Sequence, residues 1–455
     1  MITFFKTLCQ PIFLLILGVT LSFTSCQKDL TNERNLEVEA HTFDLKAITL
    51  EAVYDIPKGL LSETESERLY QNLLESLSAE EEVQLAEMMQ VYTAQSAQED
   101  LPISLRNSSE SIIHGIGQND GYGRSVAKDG IYLYVGVPGL SQVHIYAKNG
   151  SNYSLVHTLT PSNGAVGFGG TVSASGDWLA IGGSGQVYMY KRKRTFWTLQ
   201  HIITPSPSFS LLFGNDIAMS GNQMAITGHL PENSSVTYIA VYELTGFGWA
   251  WQEVAVLGDG NTHFWDIDIT HNRIVGNGGF LPSGPIFNPG VYVFEKSGGS
   301  WSFSTTIPFP PNNQLLRAIA IDNNTVVANT AFTFFASSNS SFVFTNTGGG
   351  WSHTGTLSQP LPISFAQTRW VDIQGSKAVV TMPTNFGDPT DAVHVFEQSG
   401  GSWNLTETLT PSTGGANLLF GEGILLYGSE IIAGSPGSFD PVSSTSAAGS
   451  VFIYE

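Results

Sequence analysis

From about residue 121 onward the chain repeats one pattern of apolar and polar positions. Short apolar runs, rich in β-branched and aromatic residues, are separated by Gly, Asp, Asn and Ser. The stretch "FGGTVSASGDWLAIGGSGQVYMYKRKRTFWTLQHII" is the clearest copy. It divides into TVSA, WLAIG, QVYMY and WTLQHI, each of strand length and bounded by turn residues, so it predicts four strands. The third run of every copy ends on an aromatic: Tyr146, Tyr190, Tyr242, Phe294, Phe344, Phe396 and Tyr454, spaced by 44 to 58 residues. A second aromatic follows seven residues later, at Tyr153, Trp197, Trp249, Trp301, Trp351 and Trp403. The seventh would fall beyond residue 455, so the pattern holds seven copies, the last one strand short.

Between the first two runs of each copy lies a dipeptide with turn chemistry: Asp129-Gly130, Gly176-Asp177, Gly221-Asn222, His271-Asn272, Asn323-Asn324, Gly375-Ser376 and Gly428-Ser429. Two-residue hairpins need positive φ, which Gly, Asn and Asp tolerate best. Four antiparallel strands at a period near fifty make a β-propeller blade. The expected fold is therefore all-β: a seven-bladed propeller over 101–455, with the aromatic columns packed between blades. The stretch 105–115 is expected to supply the outer strand that the seventh copy lacks, which also covers an exposed edge.

Several first strands open on an aromatic and a glycine: Tyr122-Gly123, Phe168-Gly169, Phe213-Gly214 and Phe420-Gly421. Second strands end "VGVP" at 135–138 and "AGSP" at 433–436. In these features the region from 121 to 455 resembles the FG-GAP repeat family, whose propellers also occur in integrin α subunits. Copies four to six depart from it, with Trp265, Arg317 and Trp370 near the place of the second glycine. Many FG-GAP repeats carry a calcium loop between strands one and two. Here a two-residue turn occupies that place, and calcium wants six to eight oxygens, so the resemblance brings no metal with it. Kelch repeats are the second family reading; their double glycine occurs at Gly182-Gly183 and Gly278-Gly279 alone.

The chain opens "MITFFKTLCQPIFLLILGVTLSFTSC". One Lys, an apolar run and Phe-Thr-Ser before Cys26 predict a secretory signal over 1–25. The ending resembles the signals of bacterial lipoproteins, which implies acylation of Cys26. Gln27 after it, by the same resemblance, implies the outer membrane of a Gram-negative cell. Cys9 and Cys26 are the only cysteines, so none remains for a disulfide in the exported part. Residues 26–56 read as a lipid-attached tether. Over 57–100, "SETESERLYQNLLESL" and "SAEEEVQLAEMMQVYTAQ" each start with Ser and Glu in capping-box spacing, which predicts a helical hairpin.

Charged residues are 13% of the chain and the net charge is −20. That balance speaks against nucleic acid as a partner and leaves membrane contact to the lipid anchor. No phosphate-binding glycine loop, zinc-protease motif or nucleophile elbow occurs, and the ten histidines show no metal spacing. No catalytic residue, metal or cofactor is assigned. One carboxylate set stands out: Asp216, Asp266, Asp268 and Asp372 occupy odd offsets before the hairpin turn, with isoleucines at the even ones. They line a polar channel as a cation or acid/base site, or they accept backbone hydrogen bonds between blades. The basic run "KRKR" at 191–194 reads as a solvated turn.

The loops after strand two grow in the later blades, over 229–235, 280–290, 332–340, 383–391 and 435–449. Variable loops on a rigid scaffold are where binding concentrates. Phe280, Phe287, Phe335, Phe386 and Phe439 are the candidate anchors there. The expected function is a non-catalytic binding or adhesion module on the cell envelope, with a protein or glycan partner. The alternative is a glycan-binding or glycan-processing propeller that uses the channel aspartates.

Overall fold

A computed structural model describes residues 109–115, 120–205, 212–229, 237–245, 250–260, 262–280, 290–308, 316–330, 340–358, 370–382, 392–412, 419–437 and 449–455. The expected signal, Cys26, the tether and the helical hairpin of 57–100 lie outside these residues. Every described strand belongs to one of seven four-stranded antiparallel sheets. The innermost strands, Val126–Asp129, Thr171–Ser175, Ile217–Ser220, Thr262–Thr270, Leu316–Asp322, Val371–Gln374 and Gly423–Tyr427, touch one another in that order, and the last touches the first. The fold is a seven-bladed β-propeller.

Six blades use four consecutive strands. The seventh runs outward from Gly423–Tyr427 through Glu430–Ser435 and Ser450–Tyr454 to Glu110–His114. The last pairing is antiparallel and unbroken, from Glu110 opposite Tyr454 to His114 opposite Ser450. The Tyr454 hydroxyl also donates to Glu110 Oε1 at 2.8 Å. In each of the other six blades the third and outer strands slip register by one residue beside the column aromatic, for example between Ile145 and Tyr146 and between Val395 and Phe396. Such bulges strengthen strand twist. The strand supplied from the N-terminal side has none.

Each seam between blades holds one apolar cluster. Every column aromatic lies in the seam with the blade before it: Tyr146 against blade seven, Tyr190 against blade one, and so on round to Tyr454 against blade six. The second column behaves likewise, with one correction. In blade three the place opposite the third strand that Trp301 holds in blade four is held by Trp251, two residues past the expected one. There the hairpin spans Thr245 to Ala250, whereas the equivalent hairpin of blade four closes between Ser297 and Ser300. The longer loop shifts the aromatic by two positions, and Trp249 itself falls outside the described residues.

All seven turns between first and second strands contain two residues, and the first has positive φ in each: Gly130, Gly176, Gly221, His271, Asn323, Gly375 and Gly428. The second is not left-handed, the arrangement of a type II′ hairpin. In blade one the turn is therefore Gly130-Ile131, one residue later than the dipeptide suggested, because Asp129 pairs with Tyr132.

The glycines that open the first strands lock consecutive blades together. Gly123, Gly169 and Gly214 have φ of 84°, 91° and 80°. Each turns its carbonyl onto a second-strand glycine of the preceding blade: Gly123 onto Gly434, Gly169 onto Gly136, Gly214 onto Gly182. A Cβ on any of those three second-strand glycines would overlap the carbonyl oxygen. In blades four and five the place of the opening glycine is taken by a register slip, at Trp265 and Arg317.

Two predictions follow from this packing. Gly136→Ala must push two backbones apart and is expected to cost about 1–3 kcal/mol or more. Gly349→Ala, with nothing near its Cβ position, should stay within about 0.5 kcal/mol; urea denaturation of both variants checks the contrast. Deleting 110–114 uncovers the edge of Ser450–Tyr454 and strips Ile112 and Ile113 from two seams. It should lower stability by about 2–4 kcal/mol and promote aggregation. Deleting 62–98 removes no described strand and should lower the melting temperature less.

Candidate functional site

An innermost strand is a sheet edge. One row of its amides and carbonyls has no neighbouring strand, and buried backbone groups need partners. Side chains of the preceding blade supply them here. At the turn, the last residue of one inner strand accepts from the first turn amide of the next blade. Asp129 accepts from Gly176 (2.8 Å), Ser175 from Gly221 (2.9 Å), Ser220 from His271 (3.2 Å), Asp322 from Gly375 (2.6 Å) and Gln374 from Gly428 (2.8 Å). The Tyr427 hydroxyl accepts from Gly130 at 2.7 Å and carries the ladder across the closing seam. This column escaped the sequence reading. Its signal was visible: in all seven copies the residue before the turn can accept a hydrogen bond.

Deeper in the ring the four aspartates do the same. Asp216 Oδ2 accepts from Ile267 N–H at 2.7 Å, and Asp266 Oδ2 from Ile319 N–H at 2.8 Å. Asp268 Oδ2 accepts from Ile321 N–H at 2.7 Å, and Asp372 Oδ2 from Leu426 N–H at 2.6 Å. The second oxygens of Asp268 and Asp372 take the amides of Ile269 and Ile373, both at 2.7 Å. Blades one and two place hydroxyls at the equivalent of Asp216, and these donate instead: Ser125 to Gly169 O and Thr171 to Asn215 O.

Burial sets the titration of these carboxyls. It lifts Asp268 to about 8 and Asp372 to about 7, although the backbone amides pull both back. Burial and then the Asp216 charge push Asp266 well above the carboxylate range. Burial also raises Asp216, while the hydrogen bond with Asp266 and the amides of Ile267 and Ile217 pull it back. The arrangement caps strand edges. Among the described residues no group of three or more His, Cys, Asp or Glu side chains is placed to hold a metal ion.

The aromatic candidates cannot be placed in the same way. Phe280 ends a second strand, Arg273–Phe280, but its side chain, like Phe287, Phe335, Phe386 and Phe439, lies outside the described residues. The basic run is visible and is not a turn: Lys191 to Lys193 close the third strand Gln186–Lys193, paired with the outer strand, and of the run only Arg194 stands in the two-residue turn. Lys191 lies over the Trp178 ring at 5.0 Å and Arg192 pairs with Asp177 at 2.7 Å.

The closing seam carries a charge cluster of its own. Lys128, 7% exposed, bonds Glu430, 3% exposed, and donates to the Tyr153 hydroxyl at 2.6 Å. Lys148 joins from the rim, 2.8 Å from Glu430 and 2.6 Å from Glu455. Burial would raise Glu430, but hydrogen bonds from Lys128, Lys148 and Tyr153 outweigh it and hold the carboxyl below its usual range.

The pH dependence follows from the raised carboxyls. Asp268 and Asp372 titrate near 8 and 7 in the folded ring and at about 3.9 unfolded. Between those values the native state binds more protons, so their contribution is full below about pH 4 and fades as pH rises to 7–8. The melting temperature is expected to fall from pH 5 to pH 9, and Asp268→Asn to flatten that slope; calorimetry across the range checks it.

No family model matches the chain, and no curated protein sequence does. Solved structures do resemble it. The Pan2 WD40 domain of Neurospora crassa is 10% identical, with 77% of this chain and 97% of that one covered and a TM-score of 0.48. Virginiamycin B lyase from Staphylococcus aureus is 12% identical over 76% of this chain and 99% of that one, with a TM-score of 0.49. A protein from Lactobacillus plantarum is 12% identical over 63% and 84%, with a TM-score of 0.46.

Proposed function

We propose that this chain is an exported, lipid-anchored binding or adhesion module of the cell envelope, non-catalytic, of the FG-GAP type its repeats resemble. Cys26 carries the lipid, the outer membrane of a Gram-negative cell is its site, and a protein or glycan partner docks on the long-loop end of the ring. The observation that carries this reading is the employment of the inner carboxylates. Each of the four holds a backbone amide of the next blade, whereas acid/base chemistry on a substrate needs carboxyls within reach of it. What varies from blade to blade is the connection between second and third strands, from two residues in blade two to fourteen in blade seven. A constant scaffold with a variable rim is the arrangement of a binding surface.

Two measurements test it. Cys26→Ala should abolish incorporation of labelled lipid and move the protein to the soluble fraction; unchanged membrane association overturns the anchor. Replacing 281–289 and 383–391 by short Gly-Ser loops should abolish adhesion of envelope-displayed protein to its partner. Asp268→Asn with Asp372→Asn should leave adhesion intact. The reverse pattern would sink the long-loop reading.

A further inference from the structure

The end of the ring opposite the long loops carries the seven first-to-second-strand turns. Five of them begin on glycine, and the two neighbours in blades four and five begin on His271, with φ of 44°, and Asn323, with φ of 52°. The left-handed region penalises a residue with a Cβ, though Asn and His tolerate it better than most. These two turns therefore put exposed side chains where the other five put none.

Around them lies a groove of ≈ 540 Å³ lined by His271, Asn272, Arg273, Ser297, Asn323 and Asn324 among others. A second groove, of ≈ 350 Å³, runs between the outer strands of the same two blades and includes Thr306, Asn346 and Trp351. The two flank one stack, in which the Arg273 guanidinium lies 5.3 Å from the centre of the Trp351 ring.

The charges in this region are already matched. Arg273 donates to Glu295 Oε1 at 2.8 Å, to Asn323 O at 3.0 Å and to Asn324 Oδ1 at 2.9 Å. Lys296 donates to Glu243 at 2.6 Å. The amides are each half used: Asn272, Asn324 and Asn346 accept through Oδ1 from Gln223, Arg273 and Gly348, and Asn323 donates through Nδ2 to Asp322. That leaves three Nδ2 donors and one Oδ1 acceptor, with the Ser297 and Thr306 hydroxyls, beside a half-buried indole. A groove with an apolar ring, convergent polar groups and balanced charge suits a polyhydroxylated, uncharged ligand better than an anion.

We propose that the seam between blades four and five binds a neutral oligosaccharide on the turn-bearing end of the propeller. The site is distinct from the long-loop surface and does not depend on it. The test is calorimetric titration of the full chain in detergent with maltotetraose, cellotetraose, chitotetraose and mannotetraose, with a heparin tetrasaccharide as the charged comparison. One of the neutral tetraoses is expected to bind, and more tightly than heparin. Asn324→Ala removes one amide and should weaken that binding about three- to tenfold. His271→Gly should also weaken it while raising the melting temperature, since glycine accepts the positive φ without penalty. The chain with 281–289 and 383–391 replaced should bind as the parent does. Failure of all four neutral tetraoses, tighter binding of heparin, unchanged affinity in both point variants, or loss of affinity in the loop-replaced chain each overturns the proposal. Loss of adhesion with retained tetraose binding would leave both surfaces standing as separate sites.

Discussion

A ring of sheets set edge-on to an axis has seven innermost strands whose amides face no partner, and the structure depends on how those amides are satisfied. The solution is a relay: a side chain of each blade caps the backbone of the next, one residue further along the strand. The turn ladder from Asp129 to Gly176 round to Tyr427 and Gly130 is its most regular rung. The aspartates of blades three, four and six are its deeper rungs. Acidic side chains serve well because one carboxyl group accepts two amides at once, as Asp268 and Asp372 do. Burial lifts their pKa, and for Asp266 the neighbouring Asp216 lifts it further.

The ring is built in two manners. From blade seven through blade three, backbone meets backbone: a glycine carbonyl rests on a glycine of the blade before it. Over blades three to six the same second-strand position is Thr227, Asn277, Asn329 or Thr381, and side chains do the work. Thr227 and Asn277 oxygens take the amides of Asp216 and Asp266, and Thr381 takes that of Trp370. The aspartate cluster, the inner-strand register slips at Trp265 and Arg317 and the turns that begin on His271 and Asn323 all fall in this polar half. Close approach forbids a side chain; where it is relaxed, polar atoms have room to gather.

Much of this was legible in the sequence. The aromatic columns were, because a seam needs bulk at one fixed height on every blade. The turns were too, because positive φ narrows the choice to Gly, Asn and a few others. Counting failed where a hairpin changed length, as at Trp251, and where a turn carried an ordinary residue, as at Ile131. The aspartates could be found as a polar face but not assigned partners. Asp268 and Ile321 are 53 residues apart, and nothing local to either says that adjacent blades are offset by one position. The loop aromatics and the helical hairpin lie outside the described residues, so the sequence remains their only source.

The closing strand has one further consequence, which is mechanical. Glu110–His114 is the first described strand of the chain and the outermost of blade seven. It is held by five residue pairs along a register without a bulge. A pull on the chain at Ser109 is transmitted first to this strand. Its peeling would open the edge of blade seven and relax the seam where Lys128 and Glu430 are buried. Resistance under tension is governed by the rate of that opening, not by the depth of the global free-energy minimum. The pairing that meets such a pull first is that of the same short strand that completes the circle.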